Sequence, residues 1–532
     1  MDGSRVLLLV GERVHTLASA DESARADAVL VIDDRIARVG RATELAAAAP
    51  HAETVALPGA TLTPGLTDAH IHLVEWALSR EQADLTGLAA PVDAADALVR
   101  FAAGRPGNGW LRGFGWNPHR WGGTYPDRSA LDAAFPDRPV LLQSHDMHAL
   151  WVNGAALRLA GVTDDTPDPP DGRIVRDATG RASGILLEYA SRLVTRVAGA
   201  ASADAAGAVA DAQQALHRIG VTGVHAFPSI HVREPDADAV LETLHGDGRL
   251  RLRTLRHLPL ERLDDAIRAG RRSGDGNDML RTGGVKMFLD GALGSLTAWM
   301  RAPCEGSTNT GLQLLDAEDF ADLVGRAAAA GLASTVHAIG DAAVGLALDV
   351  LAHAERAGVA LPHRIEHIQC CPPDRLADAG RHGIVCSVQP AHLMSDWRAV
   401  DRHWGARGRQ TYAFGSLLAG GATLAFGSDA PVDSVDPRHA LYAAVARTDL
   451  EGAPRGGWYP EQALGTRAAL VACTRGPAIA AGWGGRLGVL APGAFADIVA
   501  WDADPLTVPA PSLLDLRCIA TVVGGALVWQ DN

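Results

Sequence analysis

Eight short runs rich in β-branched residues recur along the chain, near 66–72, 221–226, 250–257, 284–290, 333–338, 364–369, 384–389 and 423–428, with Ala- and Leu-rich stretches between them. Strands that alternate with helices read as βα units of a parallel sheet rather than as hairpins. A parallel sheet needs cover on both faces, and eight such units satisfy that need by closing on themselves. The expected fold is therefore α/β, a (β/α)8 TIM barrel with its reacting groups at the carboxyl ends of the strands. Length and composition agree: 532 residues, 47% hydrophobic and 21% charged, supply a large core and carry no signature of disorder.

The spacing is uneven in one place. Residues 80–205, after the first run, hold turns and strands of their own and are rich in Trp and Gly (GWLRGFGWNPHRWGG), which predicts an α/β insertion lying over the active site. Both ends of the chain are β-rich. Apolar strands flank an Asp-Asp turn in AVLVIDDRIARVG, and CIATVVGGALVWQ turns at Gly-Gly. Sheet edges need covering and termini often meet, so residues 1–63 and 485–532 are expected to form one composite β-sandwich beside a barrel of residues 64–484.

A balance of 48 Lys+Arg against 62 Asp+Glu gives a net charge of −14, which repels polyphosphates and anionic lipid surfaces. Nucleic acid and membranes are excluded as expected partners, leaving a small-molecule substrate. No stretch approaches the roughly 18 apolar residues of a membrane span. The opening MDGSRVLLLVGERVHTL reads as a strand rather than a signal peptide. Six cysteines without any C-x-x-C spacing are expected to be reduced and mostly buried, as in a cytoplasmic protein.

The chemistry begins in TPGLTDAHIHL, where His70 and His72 stand two apart on a strand, so that both imidazoles project to one side and suit one metal. Three later runs close on groups of the same kind: His337 in STVHAIGD, His367 in HRIEHIQ and Asp429 in AFGSDAP. Lys286, in GGVKMFLDGALGS, is the single lysine of the chain. A guanidinium stays protonated and binds no metal, whereas a buried amine can lose its proton, take up carbon dioxide and bridge two metal ions as a carbamate. The other reading of Lys286 is an ammonium paired with Asp290. Four His, one Lys and one Asp exceed the needs of one four-coordinate zinc that keeps an open position, which favours two divalent ions over one.

Together TPGLTDAHIHL, HDMHALWVNGAAL, GRASGILLEYA, VKMFLDGALGS, VHAIGDAAV, RIEHIQ, SVQPAH, GSDAPV and PGAFADIVAWD resemble the amidohydrolase superfamily. The likeness covers nearly the whole chain and falls in the metal-dependent hydrolase branch (amidohydrolase 3, YtcJ-like) that contains N-substituted formamide deformylase. It implies a barrel with a small β-sandwich and zinc at the strand ends. His70 and His72 would bind the more buried ion together with Asp429, His337 and His367 the more exposed one, and carbamylated Lys286 would bridge. The implied reaction is cleavage of a non-peptide C–N bond by metal-bound hydroxide, with Asp429 as general base and then acid. Lactone or ester hydrolysis and ring deamination are alternatives on the same site, and a non-catalytic binding protein is an alternative of another class. Homodimerisation is implied only by analogy with such barrels.

Other residues are candidates for supporting roles. Asp341 and Glu366 could orient ligands, or serve as a helix cap and a salt bridge. Asp290 and Gln389 could contact substrate, or be a turn residue and a structural hydrogen bond. His145, Asp146 and His148 could line the pocket. Trp110, Trp116 and Trp121 are grouped so that an aromatic lid could meet an apolar substituent, with Trp116 the substrate contact; the same rings could instead form the core of the insertion. Cys370 and Cys371 read as small core residues. With one lysine there is no phosphate-binding G-x-x-x-x-G-K-[ST] loop, and nucleotide cofactors are not indicated.

Overall fold

The computed structural model describes residues 5–19, 26–169, 172–199, 204–228, 236–354 and 358–531. Eight parallel strands make the barrel: β1 (Leu66–Ile71), β2 (Val221–Ala226), β3 (Arg253–Pro259), β4 (Leu280–Phe288), β5 (Ser334–Ala338), β6 (Arg364–His367), β7 (Val385–Val388) and β8 (Thr423–Phe426). They pair in chain order from β1 to β8. Register carries the chemistry: Phe288 of β4 lies opposite His337 of β5, and His337 lies opposite Glu366 of β6. Most residues of these strands are buried, because outer side chains meet helices while inner ones fill the barrel.

The seam between β8 and β1 is closed without a ladder. Asp429 N donates to His70 O at 2.7 Å, His72 N donates to Ala430 O at 3.0 Å, and Ser428 Oγ donates to Asp68 Oδ2 at 2.6 Å. Gly427 permits that approach, since a Cβ there would stand 2.4 Å from His70 N.

Several strands end differently from the sequence expectation. Runs 250–257 and 284–290 become Arg253–Pro259 and Leu280–Phe288, so Lys286 stands two residues from the carboxyl end of β4. The run 364–369 stops at His367, because His367 and Ile368 have φ of 73° and 42° and turn the backbone out of the ladder. Asp429, beyond β8, has φ 60°. Non-glycine residues held in this left-handed region cost about 1–3 kcal/mol each, a strain the surrounding structure must support.

The terminal segments form two sheets. One has strands Arg35–Gly40, Ala28–Ile32, Val6–Val10 and Glu53–Ala56 in that order. The other joins Arg13–Val14 and Thr61–Pro64 from one end to Ile498–Trp501, Cys518–Val523 and Ala526–Gln530 from the other. Leu7, Val29, Leu62, Ile498 and Val522 share the apolar core of this region. A buried pair ties it to the barrel: Arg253 donates to Asp497 at 2.6 and 3.0 Å.

Between β1 and β2 stands a sheet of six strands, ordered Gly172–Arg176, Ala182–Glu188, Ala149–Val152, Val140–Ser144, Leu111–Trp116 and Ala83–Asp84. Trp116, Trp121 and Trp151 pack on one another with ring centroids 5.8 to 6.1 Å apart, and Trp116 Nε1 donates to Leu142 O at 3.0 Å. These rings are the core of the insertion; Trp110 packs at the edge of a neighbouring apolar cluster. All six cysteines are buried, with free thiols. Among the described residues, no helix is long and apolar enough to cross a membrane.

Candidate active site

A cavity of about 200 Å3 opens at the carboxyl ends of the barrel strands. Its floor holds His70, His72, Lys286, His337, His367 and Asp429, and its roof is the turn His145–His148 of the insertion together with Trp116. The barrel thus brings all six candidate ligands to one hollow. Asp429 is the hub. Its Oδ1 lies 3.3 Å from His70 Nε2 and 3.4 Å from His72 Nε2, while its Oδ2 lies 3.9 Å from His367 Nδ1 and 4.0 Å from His392 Nε2. Among the described residues, His70, His367 and Asp429 form a group whose ligand atoms all lie within 4.8 Å of one another.

Hydrogen bonds fix the histidine tautomers. His70 Nδ1 donates to Glu366 Oε2 at 2.7 Å, which leaves the Nε2 lone pair directed towards Asp429. His367 Nδ1 donates to Gln389 Oε1 at 2.8 Å, and His337 Nε2 donates to Gly291 O at 3.0 Å. Burial keeps these rings neutral: it pulls His70 down to about 4 and His337 down to about 3, and holds His367 well below its ordinary value. Burial also opposes ionisation of Asp429, but the contacts it makes in the site, hydrogen bonding to His72 among them, hold the carboxyl well below the usual range. His70 Nε2 is fully buried and makes no hydrogen bond, although it stands 3.3 Å from a carboxylate oxygen. Two acceptors facing each other with no proton between them suit a cation, and imidazole nitrogen with carboxylate oxygen is a donor set for zinc.

Lys286 is 3% exposed, with Nζ 4.8 and 4.7 Å from the ring centres of Phe227 and Phe288. Burial lowers its amine to about 8, against the pull of Glu366 and Asp429. Asp290 Oδ1 stands 3.6 Å from His337 Nε2. The Asp290 carboxylate accepts from Trp299 N, Ile339 N and Gly340 N at 2.8 to 3.0 Å.

The structure places the expected substrate contacts at different distances from the cavity. Asp290 lies outside the cavity lining, with its carboxylate engaged by three backbone N–H groups that shape the loop after β4. Gln389 also lies outside the lining and orients His367. Asp341 sits at the start of the helix after β5, where Oδ1 accepts from Arg301 N at 2.8 Å. Trp116 does line the cavity, while belonging to the aromatic core described above. His145, Asp146 and His148 line the roof; His148 Nδ1 lies 3.0 Å from Glu188 Oε2.

Sequence reasoning passed over several participants. Arg364 is 1% exposed and donates to Glu366 at 2.5 and 3.1 Å, to Ala69 O and Ser387 Oγ at 2.7 Å each, and lies 2.7 Å from His225 Nδ1. Phe227 stacks on His70 at 3.8 Å. His392 and Gln369 also line the cavity. Their signals were present in HRIEHIQ and SVQPAH, where each followed a residue already singled out.

Residues 53–529 match the model of the amidohydrolase family. The chain belongs to the amidohydrolase family. It is 33% identical to the protein LONG AFTER FAR-RED 3 of Arabidopsis thaliana over 97% of this chain and 90% of that one. It is 29% identical to N-substituted formamide deformylase of Arthrobacter pascens, covering 100% of this chain and 99% of the relative. Among solved structures, a metal-dependent hydrolase of Pyrococcus horikoshii superposes with TM-score 0.77 at 28% identity, over 95% of this chain and 99% of that one.

Proposed function

We propose that this amidohydrolase is a zinc enzyme that cleaves a non-peptide C–N bond of a small molecule, with an N-substituted formamide as the nearest substrate class. The observation that carries the reading is the pair of facing acceptors, His70 Nε2 and Asp429 Oδ1, 3.3 Å apart on the floor of the cavity. The deformylase relative, matched end to end, supports the substrate class.

In this reading His70, His72 and Asp429 would hold one ion and His337 and His367 a second, with carbamylated Lys286 as a further ligand. Zinc there supplies Lewis acidity, which polarises an acyl oxygen and acidifies a water. The rest is done by the chain. Asp429, ionised, accepts the proton of the attacking water and returns it to nitrogen, because an amine departs poorly unless protonated. Glu366 holds His70 with its lone pair forward, and Gln389 does the same for His367. Lys286, lowered to about 8, has a neutral fraction at neutral pH from which a carbamate can form. Met147, Phe288, Leu293 and Ile339 give the cavity an apolar wall that excludes water and suits an apolar N-substituent.

The test is amine release by zinc-loaded protein from a panel of N-alkyl and N-benzyl formamides, acetamides, cyclic amides and N-acyl amino acids, with His70→Ala as control. Turnover of one of these classes, abolished in the control, is the expected result. Zinc-loaded protein that releases no amine from any of them sinks the proposal.

A further inference from the structure

Two polar atoms on the cavity wall are buried and unsatisfied, and neither belongs to the ligand set. His392 is 7% exposed and its Nε2 makes no hydrogen bond. It stands 4.0 Å from Asp429 Oδ2, beyond hydrogen-bond distance. Gln369 is 4% exposed and its Oε1 is also without a partner. Both residues line the same cavity.

The backbone of each is anchored by a main-chain hydrogen bond. His392 is the first residue of the helix His392–His403, and its N–H donates to Gln389 O at 3.2 Å. Gln369 follows the left-handed pair His367 and Ile368, and its carbonyl accepts from Tyr412 N at 2.7 Å. Folded proteins satisfy nearly all buried polar groups, and those left over at a cavity mark where a ligand supplies the missing partner. Here one donor and one acceptor are missing theirs.

We infer that His392 and Gln369 form a substrate-reading pair, in which His392 Nε2–H donates to the acyl oxygen and Gln369 Oε1 accepts the N–H of a secondary amide. This rests on the amide reading above and adds a selection rule to it. An ester or lactone places an oxygen where the amide has N–H, so Gln369 would meet a lone pair instead of a hydrogen. A site built to bond an N–H discriminates against analogues lacking it, because its own buried group is then left unpaired.

The experiment compares N-benzylformamide with benzyl formate on the zinc-loaded protein, by initial rates and by binding calorimetry. Esters are intrinsically more reactive, so the decisive kinetic quantity is the amide-to-ester ratio of kcat/KM in the wild type divided by that ratio in Gln369→Met, where intrinsic reactivity cancels. The expected quotient is about tenfold, the scale of one hydrogen bond. His392→Phe should slow both substrates by a similar factor, since both carry the acyl oxygen, and His392→Gln, which restores a donor, should recover part of the loss. An unchanged ratio in a Gln369→Met protein with wild-type melting temperature overturns the inference. So does equal calorimetric affinity of the wild type for amide and ester, which decides the matter if the variants misfold. If the protein binds the amide selectively but turns over neither compound, the hydrolytic reading fails for this substrate class while the pair stands.

Discussion

His70 Nδ1 donates to Glu366 Oε2 at 2.7 Å in a part of the barrel where both side chains are at most 1% exposed. The carboxylate is itself gripped by Arg364, which reaches across to the backbone of β1 and to Ser387 of β7. The tautomer of His70, a proposed metal ligand, is thus set by a buried ion pair that spans the barrel. Glu366→Gln should weaken zinc binding by about 10–100-fold, the usual effect of losing the group behind a ligand histidine. It should also destabilise the fold by about 3–5 kcal/mol, because Arg364 is left without its counter-charge. Chelator competition and chemical denaturation read the two effects separately; wild-type zinc affinity would refute the positioning role.

Lys286 is the single lysine, so the chain has one side-chain amine able to take up carbon dioxide. Protein equilibrated with 13C-bicarbonate should show one side-chain carbamate resonance, absent from Lys286→Arg. The variant should keep the fold and lose activity, since a guanidinium cannot form the bridge. Retained turnover, or a resonance that survives the substitution, rules the carbamate out.

The barrel and its six candidate ligands were legible because their signals are local: alternation of strand and helix, and a histidine or carboxylate at a strand end. Lys286 stood out through composition alone. What the sequence concealed depends on register and long-range closure. Asp290 and Gln389 read as substrate contacts or as structural groups; the bonds of Asp290 to three backbone N–H groups and of Gln389 to His367 are long-range, and a linear reading does not resolve them. Arg364 reads as an ordinary basic residue until β1, β6 and β7 are brought together. The backbone turns at His367 and Asp429 have no glycine to announce them.

On the roof of the cavity, burial opposes a charged His148, but Glu188 and Asp146 outweigh it and raise the imidazole to about 9. A group raised in the folded state contributes stability that is complete below its unfolded value, near 6.5, and lost as pH climbs through its folded value. Wild-type stability relative to Glu188→Gln should therefore fall between pH 6.5 and 9. The difference should be about 2 kcal/mol, reduced because His148 keeps some solvent contact. Denaturation at several pH values measures it, and parallel pH profiles for the two proteins would contradict it.

Asp429 is asked both to hold a metal and to carry a proton, and Asn separates the two roles better than Ala. Asn tolerates the left-handed backbone that Asp429 adopts at φ 60°, so Asp429→Asn should keep the seam between β8 and β1. It keeps an oxygen towards His70 and His72 but has no carboxylate to accept a proton. At saturating zinc, kcat should fall by about 10²–10⁴-fold, the range for losing a positioned general base, with a much smaller change in KM. Wild type should also slow as pH falls and the carboxylate is protonated, a limb the variant lacks. Full activity recovered by added zinc would reduce Asp429 to a ligand and move the proton transfer to another group of the cavity.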